Sequence, residues 1–197
     1  MDFEIPHEYR ELKDLVARFV RDELMPLEPV LLKREAEGGG ISMTADERAR
    51  VDRRSRELGL WGLDAPEDIG GSDLPVTAMV GVNEEMGRTF VHYYLPPDTP
   101  NLRMLRLTAT PEQKARYLEP FVRGEIASAI VISEPGAGGD PSGLTTRAVR
   151  DGDDWVINGR KIWISNVERA DFGIVMARTA GDGGRRGGIT AFLVDKG

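Results

Sequence analysis

An apolar stretch that runs into a cluster of glycines, Ile126 to Asp140, is the feature that most constrains the fold of this 197-residue chain. Its first part, residues 126–132, is rich in β-branched residues and predicts a buried strand. The chain then continues Ser-Glu-Pro and breaks into Gly-Ala-Gly-Gly over residues 136–139, which predicts a turn with bare backbone N–H groups and φ > 0. Such a turn suits a phosphate or a flat cofactor ring, but a tight surface turn between two strands explains a lone Gly-Ala-Gly-Gly as well. Asp140 is expected to order the turn by accepting hydrogen bonds from backbone N–H groups.

A second stretch, residues 155–166, reads W-V-I-N-G-R-K-I-W-I-S-N. The Asn-Gly pair at 158–159 lies between two β-type runs and predicts a two-residue hairpin, with arms at 155–157 and 160–164. Strand alternation places Trp163 and Ser165 on one face of the second arm and Ile162 and Ile164 on the other. An indole beside a hydroxyl forms a flat platform with a hydrogen-bonding edge.

Together, S-E-P-G-A-G-G-D at 133–140 and I-N-G-R-K-I-W-I-S-N at 157–166 closely resemble the central flavin-binding domain of the acyl-CoA dehydrogenase family. The segment T-P-E-Q-K-A-R-Y-L-E-P-F-V-R-G-E at 110–125 resembles the helix that leads into the flavin strand of that family. The resemblance covers essentially all 197 residues but only about the first half of a typical member.

Two other phosphate-binding motifs do not fit the glycine turn. A nicotinamide Rossmann fingerprint needs G-x-G-x-x-G at the start of a helix, whereas here Pro141, Ser142 and Gly143 follow and another strand is predicted. A P-loop is excluded because no Gly-Lys-Ser/Thr follows.

The resemblance implies FAD as the cofactor and assigns roles to named positions. Ile130, Ile132 and Ser133 would lie along the flavin ring, and Gly138 and Gly139 would lie near the pyrophosphate. Reduced flavin carries negative charge at its N1–C2 oxygen edge, which backbone N–H groups and a hydroxyl stabilise. The implied cofactor-binding set is Ile130, Ile132, Ser133, Gly138, Gly139, Trp163, Ile164 and Ser165.

Three of these positions carry a more specific expectation. Trp163 would pack against the isoalloxazine ring, and Ser165 would reach its N5 region. Gly139 stands where most members have Ser, so one side-chain hydrogen bond to cofactor or substrate is expected to be missing; Gly139 is also the predicted substrate-binding position.

The implied reaction is α,β-dehydrogenation of an acyl-CoA thioester in fatty acid metabolism, with electrons passing to an electron-transfer flavoprotein or a similar acceptor. The full-length protein is expected to be a homo-oligomer. The catalytic base of the family lies in a C-terminal helical bundle, and this chain stops inside the β domain, so no catalytic residue is assigned. We therefore expect a fragment, a truncated form or a split gene that does not dehydrogenate acyl-CoA alone and binds flavin poorly.

Two other function classes remain open. A relative of the same fold, such as an acyl-CoA oxidase or a flavin monooxygenase, would consume oxygen without another electron acceptor. A non-catalytic binding or assembly module would be colourless when purified and would associate with itself.

The predicted fold is α+β: an all-α domain over residues 1–124, then an antiparallel, barrel-like β domain over 125–197. The apolar period changes from helical to strand spacing at Gly124. Helices are predicted over 8–25, ending at Pro26, from a Thr44 capping box to Leu58, from Pro75 to Met86, and from a Thr110 capping box to about Pro120. No regular helix is predicted at 94–101, where three prolines lie close together. The strand candidates are 126–132, 144–150, 155–157, 160–164, 172–179 and 188–194, with further turns at 151–152 and 181–188, the last of which carries Arg185 and Arg186.

Composition limits the remaining classes. The formal net charge of −7 argues against general nucleic-acid binding. The chain has no cysteine, no apolar run near the ~18 residues of a membrane span and no signal-peptide pattern at its N-terminus. These features fit a cytoplasmic protein without a membrane span, and no metal-ligand pattern is present.

Overall fold

The computed structural model describes residues 6–180 and 187–197. The chain divides into two compact units between Thr99 and Pro100. The predicted domain boundary at Gly124 rests on a change of apolar period rather than on compactness, and it stays a prediction.

The first unit begins with one long helical path. Helix α1 (His7–Phe19) continues as a π-helical turn (Val20–Leu24), a 3-10 turn (Met25–Leu27) and helix α2 (Glu28–Ala36). The prediction that Pro26 ends the helix is therefore wrong. Pro26 lies in the first turn of the 3-10 segment, where its missing N–H is not needed.

The other helix boundaries of the first unit follow their sequence signals. Helix α3 (Ala45–Glu57) begins with the predicted capping box, in which the Glu47 N–H donates to Thr44 Oγ1 at 3.2 Å and the Thr44 N–H donates to Glu47 Oε2 at 2.8 Å. Gly59 follows with a φ of 71°. A 3-10 turn (Glu67–Ile69) precedes helix α4 (Val76–Met86), which begins one residue after the predicted start and has Pro75 at its N-cap.

Apolar residues on one face of α1 contribute to the hydrophobic core of the first unit. Val16 and Phe19 are fully buried, and Phe19 contacts the ring of Tyr93 with centroids 5.8 Å apart. Glu85, on α4, is buried although it is charged, and it pairs with Arg88 at 2.8 Å.

Helices also open the second unit. The proline-rich stretch is irregular only up to Asp98, and helix α5 (Thr99–Thr108) follows. The predicted Thr110 capping box is present, since the Gln113 N–H donates to Thr110 Oγ1 at 3.3 Å and Gln113 Oε1 accepts the Thr110 N–H at 2.9 Å. Helix α6 (Pro111–Gln113) continues through a π-helical turn (Lys114–Leu118) into helix α7 (Glu119–Arg123).

The helical path therefore does not end near Pro120 as predicted. Pro120 lies in the first turn of α7, a position that tolerates proline. The path ends instead at Gly124, whose φ of 70° lies in the left-handed region.

A five-stranded sheet makes up most of the second unit, and this confirms the α+β class. The strands are β1 (Ser128–Val131), β2 (Arg147–Asp151), β3 (Asp154–Asn158), β4 (Phe172–Arg178) and β5 (Ile189–Asp195). Strand β4 is central: β1 runs parallel to its first half, β2 pairs in parallel at Arg178, and β5 pairs antiparallel along its whole length.

The prediction of a purely antiparallel, barrel-like sheet is wrong in two respects. The sheet is mixed, because β1 and β2 run parallel to β4 whereas β5 runs antiparallel to it. Along the chain, the β2–β3 hairpin lies between β1 and β4 and provides the long crossover connection that these parallel neighbours require. It is also open over the described residues. On one side of β4, Phe172 packs against the rings of Tyr117 and Phe121, with centroids 4.8 and 6.2 Å away.

The hairpin predicted at Asn158-Gly159 does not form. Strand β3 pairs instead with β2 through the other predicted turn, at Asp151-Gly152, and Asn158 is paired with Arg147. Residues 160–164 are not in a strand; they lie beside residues 132–133 rather than beside β3. The predicted turn at 181–188 falls largely outside the described residues, as do Arg185 and Arg186.

Within the described ranges, no helix is long and apolar enough to cross a membrane.

Candidate functional site

The glycine turn follows directly from β1. The Glu134 N–H donates to the Ala137 carbonyl at 2.8 Å, and the Ala137 N–H donates back to the Glu134 carbonyl at 3.1 Å. Gly136, Gly138 and Gly139 are exposed, and a Cβ built on any of them meets nothing within 4 Å. The expectation that these glycines supply φ > 0 is wrong, since none of the three has a positive φ. Neither backbone conformation nor neighbours within the chain require glycine here, so the turn presents open backbone.

Asp140 and Arg178 fix the segment after the turn. Asp140 Oδ1 accepts the Ser142 N–H at 2.9 Å, which confirms its predicted role, and hydrogen bonding from the side chain and the backbone of Ser142 lowers the pKa of Asp140. Arg178, on β4, is 3% exposed. Its Nε donates to the Leu144 carbonyl at 3.1 Å and its Nη2 donates to the Ser142 carbonyl at 2.7 Å.

Glu134 is a buried carboxylate beneath the glycine turn, with 4% of its surface exposed. One oxygen accepts the backbone N–H and the hydroxyl of Thr145, each at 2.7 Å. The other accepts the Thr146 N–H and Lys161 Nζ, each at 2.9 Å. Burial alone raises the pKa of Glu134, but hydrogen bonds from Thr146, Thr145 and Lys161 outweigh it and hold the pKa well below its ordinary value.

Lys161 connects the glycine turn to the second motif, residues 155–166. Its side chain is 11% exposed, and Nζ donates to the Ile132 carbonyl at 2.9 Å as well as to Glu134. The adjacent Ile162 N–H donates to the Ser133 carbonyl at 3.0 Å. These bonds hold residues 161–162 directly against the end of the first strand.

Trp163 is 89% exposed, although indole is a large apolar group. Its φ of 58° is in the left-handed region, which is unusual for a bulky residue. Ser165 is exposed too, whereas Ile162 and Ile164 are half-buried. The predicted alternation of faces is therefore retained without a regular strand.

The structure brings part of the predicted cofactor-binding set together. Ser133 is bonded to the segment that carries Trp163, and the glycine turn is joined to both through Glu134. Four members of the set are half-buried: Ile130 in β1, Ile132 and Ser133 directly after it, and Ile164. The other four members are exposed: Gly138, Gly139, Trp163 and Ser165.

Sequence reasoning did not assign a role to Glu134, Lys161 or Arg178. A glutamate that closely follows an apolar strand indicates a buried carboxylate, and a buried carboxylate needs a charged or hydrogen-bonding partner. The identity of that partner, 27 residues away, is not readable from a single sequence. Among the described residues, no group of three His, Asp or Glu side chains is placed to hold a metal ion.

Comparison with known proteins identifies the family. The model for the acyl-CoA dehydrogenase N-terminal domain matches residues 6–125, and the model for the middle domain matches residues 129–197. The (R)-benzylsuccinyl-CoA dehydrogenase of Thauera aromatica is 41% identical over 205 residues, which cover 100% of this chain and 50% of that protein.

Solved structures agree. A putative acyl-CoA dehydrogenase from Mycobacterium abscessus superposes with a TM-score of 0.83 at 28% identity, covering 98% of this chain and 51% of the other. A glutaryl-CoA dehydrogenase from Mycobacterium smegmatis, solved in complex with FADH2, gives 0.76 at 25% identity, covering 97% and 46%. This chain belongs to the acyl-CoA dehydrogenase family, and it spans about half the length of the curated relatives it matches.

Proposed function

We propose that this chain is the flavin-binding part of an FAD-dependent acyl-CoA dehydrogenase, which oxidises the α,β C–C bond of an acyl-CoA thioester. The observation that carries the proposal is the exposed indole of Trp163 beside the end of β1. The neighbouring Ile162 is hydrogen-bonded to Ser133 at that strand end, and the exposed glycine turn follows directly. The relatives are named CoA dehydrogenases, and one relative was solved with FADH2.

The residues present suit a flavin dinucleotide. An aromatic ring system can stack on the free face of Trp163, and the nearby hydroxyls of Ser133 and Ser165 can hydrogen-bond to its polar edge. The open N–H groups of Gly138 and Gly139 suit the pyrophosphate, because no side chain prevents close approach. Ile130, Ile132 and Ile164 would provide apolar contact along the ring.

The chemistry that a bound flavin supplies is acceptance of a hydride from the β-carbon while a base removes the α-proton. The chain's residues would position the ring and stabilise charge at its edge. We assign no base among them. Glu134 is buried beneath four hydrogen-bond donors and its lowered pKa makes it a poor proton acceptor, and Asp140 is bonded to the Ser142 N–H.

The parent protein would take acyl-CoA as substrate, pass electrons to an electron-transfer flavoprotein or a similar acceptor, and act as a homo-oligomer. An acyl-CoA oxidase or flavin monooxygenase would use the same flavin site, so oxygen consumption distinguishes it. A non-catalytic module would bind no flavin.

The test is a titration of the purified chain with FAD, followed by tryptophan fluorescence. We expect saturable quenching that disappears in Trp163→Phe in a background where Trp61 and Trp155 remain. The matched control is Trp155→Phe, which removes the other tryptophan of the second unit and should leave the quenching in place. No saturable quenching up to about 1 mM FAD, a Kd that corresponds to only about −4 kcal/mol of binding free energy, would contradict flavin binding.

A second arm tests the reaction. The FAD-loaded chain is mixed anaerobically with acyl-CoA of several lengths, and flavin absorbance is followed. Because no base is assigned, we expect no bleaching from this chain alone. Bleaching with formation of enoyl-CoA would show that a base within the 197 residues had been missed.

A further inference from the structure

We infer that the buried Glu134–Lys161 ion pair is a positioning device, which fixes residues 161–165 against the end of β1 and so presents Trp163 and Ser165 to the flavin. The inference rests on the proposed function, but it assigns a role to two residues that the proposed binding set does not contain.

The first support is the connectivity of the pair. The Lys161 ammonium donates to Glu134 Oε1 and to the Ile132 carbonyl, while Glu134 also accepts bonds from Thr145 and Thr146. The pair therefore joins three separate chain segments: the end of β1, the two residues just before β2 and residues 155–166. A buried ion pair gains little over an apolar pair of similar size, so its value here lies in fixing the relative position of its segments.

The second support is the backbone of Trp163. A left-handed conformation is costly for an aromatic residue and persists only where the surroundings determine it. Before Trp163, Lys161 and Ile162 are bonded to the strand end. After it, the Asn166 carbonyl accepts the N–H groups of Arg169 and Ala170 at 3.0 and 2.9 Å. The segment is therefore bonded to the strand end before Trp163 and enters a hydrogen-bonded local turn after it, and the exposed indole lies between the two.

The third support is that Trp163 does little to fix itself. With 89% of its surface exposed, the indole makes few contacts that could hold the segment. Its orientation must therefore come from the backbone and from neighbouring bonds, which include those of Lys161, the one charged residue of 161–165.

The experiment compares Lys161→Met with Arg160→Met. Both substitutions replace a cationic side chain by methionine at adjacent positions, but Arg160 is exposed. Hydrogen exchange of the peptide covering residues 159–166 is measured on flavin-free protein, and FAD affinity is measured by fluorescence, both well below the melting temperature. We expect Lys161→Met to speed exchange at Ile162 and to weaken FAD binding about tenfold, as loosening of a supporting shell does. Arg160→Met should change neither.

A double-mutant cycle with Glu134→Gln tests whether the two residues act as one unit. If they do, the double variant binds FAD no more weakly than the weaker single variant. Full additivity would overturn the inference, as would unchanged exchange and unchanged FAD affinity in Lys161→Met. A lower melting temperature with unchanged FAD affinity would also overturn it, because it would show a purely structural pair. If the wild-type chain binds no FAD, the proposed function fails, and the exchange comparison still decides whether the pair positions the segment.

Discussion

The two layers of the candidate site are built in opposite ways. The inner layer, consisting of Glu134, Lys161 and Arg178, is buried, charged and bonded at nearly every polar atom. The outer layer, consisting of Gly138, Gly139, Trp163 and Ser165, is exposed and leaves its backbone and its indole open.

The difference indicates a division of roles. Substitutions in the inner layer should lower the free energy of unfolding, and they should weaken ligand binding because they loosen the support of the outer layer. Changes in the outer layer should affect ligand binding with little effect on stability.

The largest effect is expected from Glu134→Ala. The substitution removes the acceptor of the Thr145 and Thr146 N–H groups and the carboxylate that pairs with the Lys161 ammonium, which keeps its bond to the Ile132 carbonyl. We expect the free energy of unfolding of the second unit to fall by about 3–5 kcal/mol. Urea unfolding in a Trp61→Phe background measures it, because the remaining tryptophans both lie in the second unit. The exposed Glu168→Ala is the control, and an equal loss in both would contradict the division.

Arg178→Met should have the next largest effect. It removes two charged hydrogen bonds to the Ser142 and Leu144 carbonyls while retaining an apolar stem. We expect a loss of about 2–3 kcal/mol by the same assay. Arg160→Met, at an exposed position, should stay within about 0.5 kcal/mol. If the two variants were equally stable, Arg178 would not be part of the inner layer's support.

The pH dependence of stability follows from Glu134. Its pKa is lower in the folded state than in the unfolded chain, so its contribution is present above the unfolded pKa, about 4.3, and is lost as the pH falls toward the folded pKa. We therefore expect a steeper acid loss of stability in the wild type than in Glu134→Gln, by up to about 1.4 kcal/mol per pH unit. Between pH 5 and pH 8 the difference in free energy of unfolding between the two proteins should be constant. A pH-dependent difference in that range would contradict a lowered pKa of Glu134 as its cause.

The smallest effect is expected in the outer layer. Trp163 is exposed and has a φ of 58°, so Trp163→Ala should lose little from contacts but keep the left-handed strain. Trp163→Gly removes the strain, and it should be more stable than the alanine variant by up to about 1 kcal/mol. Thermal melting of the two variants measures this. The reverse order, which is usual for glycine in regular structure, would show that the backbone at 163 is not left-handed in solution.

The sequence predicts local features of this fold well and its long-range pairings poorly. Both capping boxes and the glycine after α3 are confirmed, because each depends on residues within a few positions. The hairpin at Asn158-Gly159 is wrong because residues 160–164 find partners in residues 132–134, and a local turn signal does not contain that competition.

The candidate site shows the same limit. Alternation correctly separates exposed Trp163 and Ser165 from half-buried Ile162 and Ile164. The charged pair beneath them depends on which strand end lies next to Lys161, and that depends on the mixed topology of the sheet. The proposed binding residues can therefore be named from motifs, whereas their support becomes visible only in three dimensions.

Binding of FAD to the outer layer can be followed by an NMR titration of the isotope-labelled chain with FAD. We expect the largest chemical-shift changes at the backbone amides of Gly138, Gly139 and Ser165 and at the Trp163 indole N–H. The Trp155 indole and the amide of buried Val51 in the first unit should stay in place. Shifts concentrated away from the glycine turn and Trp163, or no saturable shift at all, would contradict binding of FAD to the outer layer.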